Sequence, residues 1–204
     1  MASLSAVQRP FSDSCEENKR PILEIIASLF AAAHSVLEIG SGTGQHAVFF
    51  AAALPHLTWQ TSELPEHHPG IQLWIKEAGL ENLRPPLTLD VKSDPWPAAG
   101  FDAVFSANTA HIMHWPAVQS MFRGVSAVLA SGGLFVLYGP FNYGGRHTSD
   151  SNARFDQWLK QRDPLSGIRD FTDLDALAHE HGLVLENDHP MPVNNRILVW
   201  RKSV

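Results

Sequence analysis

Apolar and polar positions along the chain follow two periods, one typical of helices and one typical of buried strands. Residues 19–33 place apolar side chains three and four positions apart, which predicts a helix with Pro21 near its start. The same period predicts further helices at 45–54, 70–80 and 117–130. Short apolar runs predict strands at 35–40, 57–63, 85–91, 101–108 and 133–141.

The alternation of apolar strands with helices indicates an α/β fold built on a mostly parallel sheet. Strands that are apolar on both faces need helices on both sides, and right-handed crossovers then give a doubly wound arrangement. From residue 151 onwards the pattern predicts two helices and a last pair of strands at 182–186 and 196–200. Ligands of doubly wound sheets bind beyond the carboxyl ends of the strands, where the strand order reverses. We therefore expect a site at that edge.

Length, composition and charge narrow the class of protein. A chain of 204 residues with 44% hydrophobic and 18% charged residues is typical of one folded domain with a substantial core. The formal net charge of −6 provides no basic field for DNA or RNA, so no nucleic-acid partner is expected. No secretory signal or apolar run of membrane-spanning length is present, and Cys15 is the single cysteine. We expect a cytoplasmic protein without a membrane partner, of undetermined oligomeric state.

Three glycines, Gly40, Gly42 and Gly44, directly follow the first predicted strand. Without Cβ atoms the backbone can turn tightly and present N–H groups at the positive end of the next helix. A tight turn that serves only close helix packing is the alternative. A dinucleotide-binding G-x-G-x-x-G loop would need its third glycine at position 45, which is Gln45. The spacing therefore disfavours a nicotinamide cofactor.

The stretch EIGSGTG at residues 38–44 resembles the E/D-x-G-x-G-x-G motif of class I S-adenosylmethionine-dependent methyltransferases. The resemblance implies a Rossmann-like sheet of seven strands, mostly parallel, with an antiparallel C-terminal strand, and S-adenosylmethionine as the cofactor. By the same resemblance Glu63 would accept bonds from the ribose hydroxyls, Asp90 would meet the adenine amino group, and Val91 would pack on the adenine ring. The implied cofactor-binding residues are Glu38, Gly40, Ser41, Gly42, Gly44, Glu63, Asp90, Val91 and Asn108, the last beside the place of methyl transfer.

Each of the acidic residues in this set also has a purely structural explanation. Glu38 would be a strand-end acid paired with a lysine, Glu63 a helix cap and Asp90 a turn residue before Lys92. The ordered placement of the whole set at four successive strand ends favours the cofactor site.

A narrower resemblance covers almost the whole chain. The stretches RPFSDSCEENKRPIL, HIMHWPA, YGPFNYGGRHTSDSN and GIRDFTDL, with the glycine loop, are similar to the methyltransferase-like family of unassigned substrate that includes methyltransferase-like protein twenty-six of animals. The resemblance implies the fold but no substrate. After the fourth strand the chain has SANTAHIMHW where many nucleic-acid methyltransferases have N-P-P-Y/F, which counts against methylation of a base.

The loop after the fifth predicted strand offers candidates for the acceptor side. Asn142 and Arg146 are the predicted substrate-binding residues and Tyr143 a predicted catalytic residue, on a loop that Gly144 and Gly145 would let close as a lid. The alternative is an ordinary loop in which Ser149 or Asp150 caps the next helix.

His111 and His114 follow Asn108 and are the other predicted catalytic residues. A histidine can take a proton from an acceptor near neutral pH. A structural histidine that caps the helix near Trp115 is the alternative, and no metal site is predicted because no nearby carboxylate completes a ligand set. The N-terminal segment with Arg9, Phe11, Asn18 and Lys19 is expected to precede the first helix and fold over the cofactor mouth, or else to be a loose tail.

The sequence therefore predicts an S-adenosylmethionine-dependent methyltransferase with a small-molecule acceptor. The alternatives are a non-catalytic protein that binds the cofactor or a partner on the same fold, and a nicotinamide-dependent oxidoreductase. Residues 1–204 are predicted to form one methyltransferase domain, which has three parts. These are a cap segment and helix at 1–33, a cofactor-binding core at 34–140, and a substrate loop with C-terminal helices and strands at 141–204.

Overall fold

The structure, a computed structural model, describes residues 9–204, and the first eight residues of the predicted cap segment lie outside the described residues. The helices are α1 (Asp13–Leu29), α2 (Gln45–Ala53), α3 (His68–Ala78), α4 (Trp115–Val128), α5 (Asp150–Arg162) and α6 (Phe171–Glu180). The strands are β1 (Ser35–Ile39), β2 (Thr58–Glu63), β3 (Leu83–Thr88), β4 (Phe101–Ala107), β5 (Leu129–Gly139), β6 (Phe141–Asn142), β7 (Arg169–Asp170), β8 (Leu183–Met191) and β9 (Asn195–Lys202).

Seven of these strands form one sheet in the order β3-β2-β1-β4-β5-β9-β8. The neighbours from β3 to β5 are parallel, whereas β9 runs antiparallel to both β5 and β8. This confirms the predicted α/β fold with a mostly parallel seven-stranded sheet and an antiparallel C-terminal strand. The chain moves outward from β1 to β3 and then returns to β4 on the other side of β1. The strand order therefore reverses between β1 and β4, where such sheets bind ligands.

Alternate side chains of the strands pack into two separate cores, one on each face of the sheet. On β5, Phe135 and Leu137 join the core that includes residues of α4 and α6. Val136 and Tyr138 join the opposite core, with residues of α1 and α2. A parallel sheet buried on both faces needs such a double cover, which explains the apolar runs of the sequence.

Several element bounds differ from the predictions. Helix α1 begins at Asp13, six residues earlier than expected, and Pro21 lies inside it. Acidic residues in its first turn, Asp13 and Glu16, favour this start because they face the positive end of the helix. Strand β3 ends at Thr88, so Asp90 lies in the following turn. Strand β5 begins at Leu129 and takes the last two residues of the predicted fourth helix.

Within residues 9–204, none of the helices combines the length and the apolar character that crossing a membrane requires.

Candidate functional site at the reversal of strand order

The glycine loop between β1 and α2 has three residues with positive φ: Gly40 at +69°, Gly42 at +56° and Gly44 at +91°. A Cβ atom added at Gly40 would lie 2.6 Å from Thr109 Cγ2, and one at Gly44 would lie 3.2 Å from Ile71 Cα. One added at Gly42 would meet nothing within 4 Å. Gly40 and Gly44 therefore permit close packing, whereas Gly42 faces open space.

Glu63, the last residue of β2, holds this loop from the neighbouring strand. Its Oε2 accepts a hydrogen bond of 2.9 Å from the backbone N–H of Gly42, and its Oε1 accepts one of 2.8 Å from the N–H of Leu64. A carboxylate has about four acceptor sites, so Glu63 keeps capacity for further donors.

A cavity of about 630 Å³ opens in front of this loop, and we call it the glycine-loop cavity. Seven of the nine predicted cofactor-binding residues line it: Gly40, Ser41, Gly42, Glu63, Asp90, Val91 and Asn108. They come from the ends of β1, β2 and β4 and from the turn after β3. The reversal of strand order thus brings together residues that the sequence places up to 68 positions apart, from Gly40 to Asn108.

The other two predicted cofactor residues, Glu38 and Gly44, do not line this cavity. Gly44 packs against α3, and Glu38 is buried beneath the loop. Glu38 Oε2 accepts hydrogen bonds from Ser41 Oγ at 2.8 Å and from Trp59 Nε1 at 3.2 Å. Burial raises the pKa of Glu38 to about 7, although these two hydrogen bonds oppose the shift. Both residues therefore support the loop. The two donors to Glu38 are Ser41 and Trp59, so these contacts do not include the lysine that the structural alternative for Glu38 predicts.

Asp90 and Asn108 have defined backbone conformations at the cavity wall. Asp90 Oδ1 accepts a hydrogen bond of 3.0 Å from the N–H of Lys92, which makes Asp90 both a turn residue and a lining residue. Asn108 follows β4 with φ of +58°, and its N–H donates to the carbonyl of Tyr138 at 2.9 Å. Asparagine tolerates this left-handed conformation better than most residues, and such conformations are concentrated at functional sites.

A second cavity of about 790 Å³ adjoins the first, and we call it the aromatic cavity. Ser14, Asn108 and Ile112 line both cavities. One wall comes from α1 and consists of Ser14, Glu17, Asn18 and Pro21. Another wall comes from α5 and consists of Ser151, Asn152, Phe155, Trp158, Leu159 and Arg162. Both sets recur at every third or fourth position along the chain, so each helix turns one face toward the cavity.

The two candidate histidines lie in different cavities. His111 lines the aromatic cavity, with its ring edge-on to Phe155 at a centroid distance of 5.3 Å. Burial, and secondarily the charge of Arg169, lowers the pKa of His111 to about 4. His114 lines the glycine-loop cavity, and its Nε2 lies 2.5 Å from Asp163 Oδ2. This hydrogen bond lowers the pKa of Asp163.

Asn142, Tyr143 and Arg146 are absent from the lining of both cavities. The hydroxyl of Tyr143 donates to Asp188 Oδ2 at 2.7 Å, and burial together with Asp188 raises the pKa of Tyr143. The backbones of Tyr143 and Arg146 pair with each other across a tight turn. The pairing of β6 with β7 and the hydrogen bond from Tyr143 to Asp188 of β8 hold the loop away from the lining of both cavities.

The start of the next helix agrees with the alternative for that loop. Ser149 Oγ accepts a hydrogen bond of 3.1 Å from the N–H of Asn152 and caps α5.

Residues 9–202 match the family described as Protein of unknown function (DUF938). The chain belongs to DUF938. Its fold also matches solved structures of methyltransferases at low sequence identity. One is the S-adenosylmethionine-dependent methyltransferase SibL in its apo form, with a TM-score of 0.80 and 23% identity over 94% of this chain and 56% of that chain.

Two further matches have the same character. An O-methyltransferase family protein from Burkholderia thailandensis has a TM-score of 0.82 and 15% identity, over 94% of the DUF938 chain and 58% of that chain. Human N-acetylserotonin methyltransferase in complex with SAM has a TM-score of 0.78 and 15% identity, over 94% and 53% respectively. The DUF938 chain thus spans a little more than half the length of these structures and shares their fold.

The N-terminal segment of the DUF938 chain lies against the glycine-loop cavity. Ser12 and Cys15 line the glycine-loop cavity. Gln45 Oε1 accepts a hydrogen bond of 2.6 Å from the N–H of Ser12, and His46 Nε2 lies 2.6 Å from Asn18 Oδ1. Asn18 and Lys19 belong to α1 itself and do not precede it. In the sequence, the signal for the contact between this segment and α2 is the pair of polar residues, Gln45 and His46, at the start of the otherwise apolar helix.

The aromatic wall of α5 was also missed, although its residues are visible in the sequence. Phe155, Trp158 and Leu159 have helical spacing, but spacing alone does not separate a cavity wall from a core face. Among the described residues, no group of three or more His, Cys, Asp or Glu side chains is arranged to hold a metal ion.

Proposed function

We propose that this DUF938 chain is an S-adenosylmethionine-dependent methyltransferase with a small-molecule acceptor. The observation that carries the proposal is the pair of adjoining cavities at the reversal of strand order, which share Asn108 at the end of β4. One cavity would hold the cofactor and the other the acceptor. The fold shared with solved methyltransferases supports this reading.

The residues of the glycine-loop cavity fit the cofactor. Glu63 has free acceptor capacity for the two ribose hydroxyls, and the open space at Gly42 leaves room for the ligand close to the backbone. Asp90 would accept a hydrogen bond from the adenine amino group, and Val91 in the same turn would pack on the adenine ring. We therefore propose the predicted roles for these lining residues. Glu38 and Gly44 are instead assigned to the support of the glycine loop.

When bound, the cofactor supplies a methyl group on a sulfonium that is already an electrophile. The protein has mainly to position the acceptor and exclude water. Asn108 lies at the junction of the two cavities, where its amide group can orient the acceptor atom. Burial lowers the pKa of His111 to about 4, so the imidazole is neutral at pH 7 and is a weak base. It can accept a hydrogen bond from the acceptor and take the proton as methyl transfer makes the acceptor atom strongly acidic. His114 is bound to Asp163 and has a positioning role in this proposal.

The finer assignments belong to the same proposal. Membership of the methyltransferase-like family that includes methyltransferase-like protein twenty-six is supported by the sequence resemblance. A cytoplasmic location and the three-part division of one domain at residues 33 and 140 are proposed from the composition and pattern of the sequence. We further propose that the chain acts without a nucleic-acid or membrane partner.

Two glycines with nearly equal backbone conformations provide the test. Gly42 and Gly144 have φ of +56° and +57°, and a Cβ at either meets nothing within 4 Å, but only Gly42 lines the cavity. Gly42→Val and Gly144→Val therefore introduce similar backbone strain. We expect S-adenosylmethionine binding by calorimetry to weaken at least about tenfold in Gly42→Val and to stay within about twofold in Gly144→Val. Equal affinities in the two variants would contradict the proposed cofactor site.

Titration with NAD and an assay of turnover separate the alternatives. Binding of NAD in place of S-adenosylmethionine would indicate the oxidoreductase. Release of S-adenosylhomocysteine on incubation with a metabolite extract is the expected result for a methyltransferase. Cofactor binding without such release would indicate the non-catalytic alternative.

A further inference from the structure

The aromatic cavity has one wall that is built from rings. Phe155 and Trp158 on α5 stack at a centroid distance of 5.8 Å with an angle of 18° between their planes. The guanidinium carbon of Arg162 lies 4.6 Å from the Trp158 ring centroid, and His111 meets the edge of Phe155. Flat apolar ligands gain from such a wall because offset-stacked and edge-to-face ring pairs are favourable beyond the area that they bury.

Exposed apolar side chains concentrate around the same cavity. Ile112 is 59% exposed, Trp158 47% and Val193 76%, and all three line it. Val193 lies in the turn between β8 and β9 with φ of +58°, which is rare for a β-branched residue. Single exposed apolar residues are ordinary, but a group around one cavity marks a binding site for an apolar ligand.

The wall formed by α1 and the sheet is polar and can form hydrogen bonds. Glu17 and Asn18 extend from α1, and Tyr138 and Asn195 from the sheet. Burial raises the pKa of Tyr138 to about 12, so its hydroxyl is neutral at physiological pH. A ligand between the two walls therefore has one apolar face and one edge that can donate or accept hydrogen bonds.

The charges on the lining disfavour an anionic ligand. Glu17 and Asp163 contribute two carboxylates, and the Arg162 guanidinium lies over the Trp158 ring. A phosphate or carboxylate group would meet these carboxylates without an opposing cluster of cations. The cavity volume of about 790 Å³ suits a ligand of fused-ring size.

We propose that the aromatic cavity binds an uncharged, planar aromatic acceptor that carries a hydroxyl group on one edge. This inference rests on the proposed function only for the reaction, since binding to the cavity can be measured in the protein without cofactor. The ring lies against Phe155 and Trp158, and the hydroxyl lies toward Asn108 and His111. In the reaction an oxygen lone pair forms the bond to the methyl carbon while the sulfur–carbon bond breaks with its electrons returning to sulfur. His111 takes the hydroxyl proton.

Three probes of similar size test the chemical class in the protein without cofactor. 2-Naphthol is planar and neutral, 2-naphthoate is planar and anionic, and decahydro-2-naphthol is neutral and not planar. We expect 2-naphthol to bind and each of the other two to bind about tenfold more weakly. Decahydro-2-naphthol loses a ring-pair interaction, and the carboxylate of 2-naphthoate meets Glu17 and Asp163. Absence of 2-naphthol binding, or equal affinity for the three probes, would overturn the proposal.

Substitutions of Trp158 locate the binding. Trp158→Leu removes the ring and is expected to weaken 2-naphthol about fivefold or more, whereas Trp158→Phe keeps a ring and is expected to stay within about threefold. Trp158 is half exposed, so both variants should fold. Equal affinity of wild type and Trp158→Leu would place the probe elsewhere and overturn the proposal.

Titration of the same variants with S-adenosylmethionine keeps the two proposals distinguishable. Trp158 is absent from the glycine-loop cavity, so its substitution should leave cofactor affinity within about twofold. Cofactor binding without 2-naphthol binding would overturn only the aromatic acceptor. 2-Naphthol binding without cofactor binding would overturn only the proposed methyltransferase.

Discussion

At Gly124 a single missing methyl group allows an aromatic ring to lie directly on a helix. A Cβ atom added at Gly124 of α4 would overlap the indole ring of Trp96. The indole N–H also donates to the carbonyl of Val91 at 3.4 Å, beside the glycine-loop cavity. The close approach therefore links α4 to the turn that carries two of the proposed cofactor residues.

Gly124→Ala should destabilise the protein even though alanine is the better helix former. We expect the overlap with Trp96 to lower the free energy of unfolding by about 1–3 kcal/mol in urea denaturation. In a Trp96→Ala background the overlap is absent, and the same substitution should raise the free energy of unfolding by up to about 1 kcal/mol. The same sign in both backgrounds would show that Trp96 is not the cause.

Glu38 makes the free energy of unfolding depend on pH. Its pKa is about 7 in the folded protein, whereas the reference value for an unperturbed glutamate side chain is 4.5. The folded state thus binds this proton more tightly than the unfolded state does. The resulting stabilisation is complete below pH 4.5 and is lost as the pH rises through 7. Charged Glu38 is the less favourable form because it is buried beneath the glycine loop.

Glu38→Gln should abolish this loss, since the amide stays uncharged. We expect the unfolding free energy of the variant relative to wild type to rise by about 3 kcal/mol between acid and mildly alkaline pH. Glu81→Gln, at an exposed position, is the control for removal of one negative charge. A difference between Glu38→Gln and wild type that stays constant across the pH range would contradict the shifted pKa.

Among the elements, the segment that leads into α1 is fixed to the core by α3. The guanidinium of Arg9 lies 3.8 Å from the centroid of the Trp74 ring, and the indole N–H of Trp74 donates to the carbonyl of Pro10 at 2.8 Å. Gly70 faces the Pro10 ring, where an added Cβ would lie only 2.5 Å from Pro10 Cγ. Because Ser12 and Cys15 line the glycine-loop cavity, these contacts position part of its wall.

Trp74→Leu should therefore weaken S-adenosylmethionine binding although Trp74 does not line the cavity. The loss of one hydrogen bond and one cation–π contact predicts a weakening of about 2- to 10-fold in calorimetry. Lys76→Ala, an exposed substitution on the same helix, is the control and should leave the affinity unchanged. Increased protease cleavage near Arg9 in Trp74→Leu alone would confirm that the segment has been released.

The same elements show what could be predicted from the sequence. Strands β1 and β4 and the loop between β1 and α2 were predicted well because their apolar runs and glycines are local signals. The start of α1 was predicted too late because Pro21 is typical of a helix start, whereas here the contacts of Ser12 with Gln45 fix the earlier turns. The position of the loop at Tyr143 could not be predicted from local signals because it depends on the pairing of β6 with β7, 28 residues away.

For the whole molecule, the aromatic cavity could not be predicted from the sequence because its walls are far apart in the chain. Residues 14–21 of α1 and 151–162 of α5 come together only because β5, β9 and β8 complete the sheet. The ends of β1 to β4, by contrast, lie at one edge in any parallel sheet. Sequence motifs therefore named seven residues that line the glycine-loop cavity, whereas of the five predicted catalytic and substrate-binding residues only His111 lines the aromatic cavity.

Ser14 and Asn108 belong to both cavities, so the two ligands cannot be independent of each other. A ligand that orders this common wall from one side lowers the entropy cost for the ligand on the other side. We expect positive heterotropic cooperativity, in which S-adenosylhomocysteine tightens 2-naphthol and 2-naphthol tightens S-adenosylhomocysteine by the same factor. Because the coupling is reciprocal, each product would be held more tightly while the other is bound, whichever of the two leaves first.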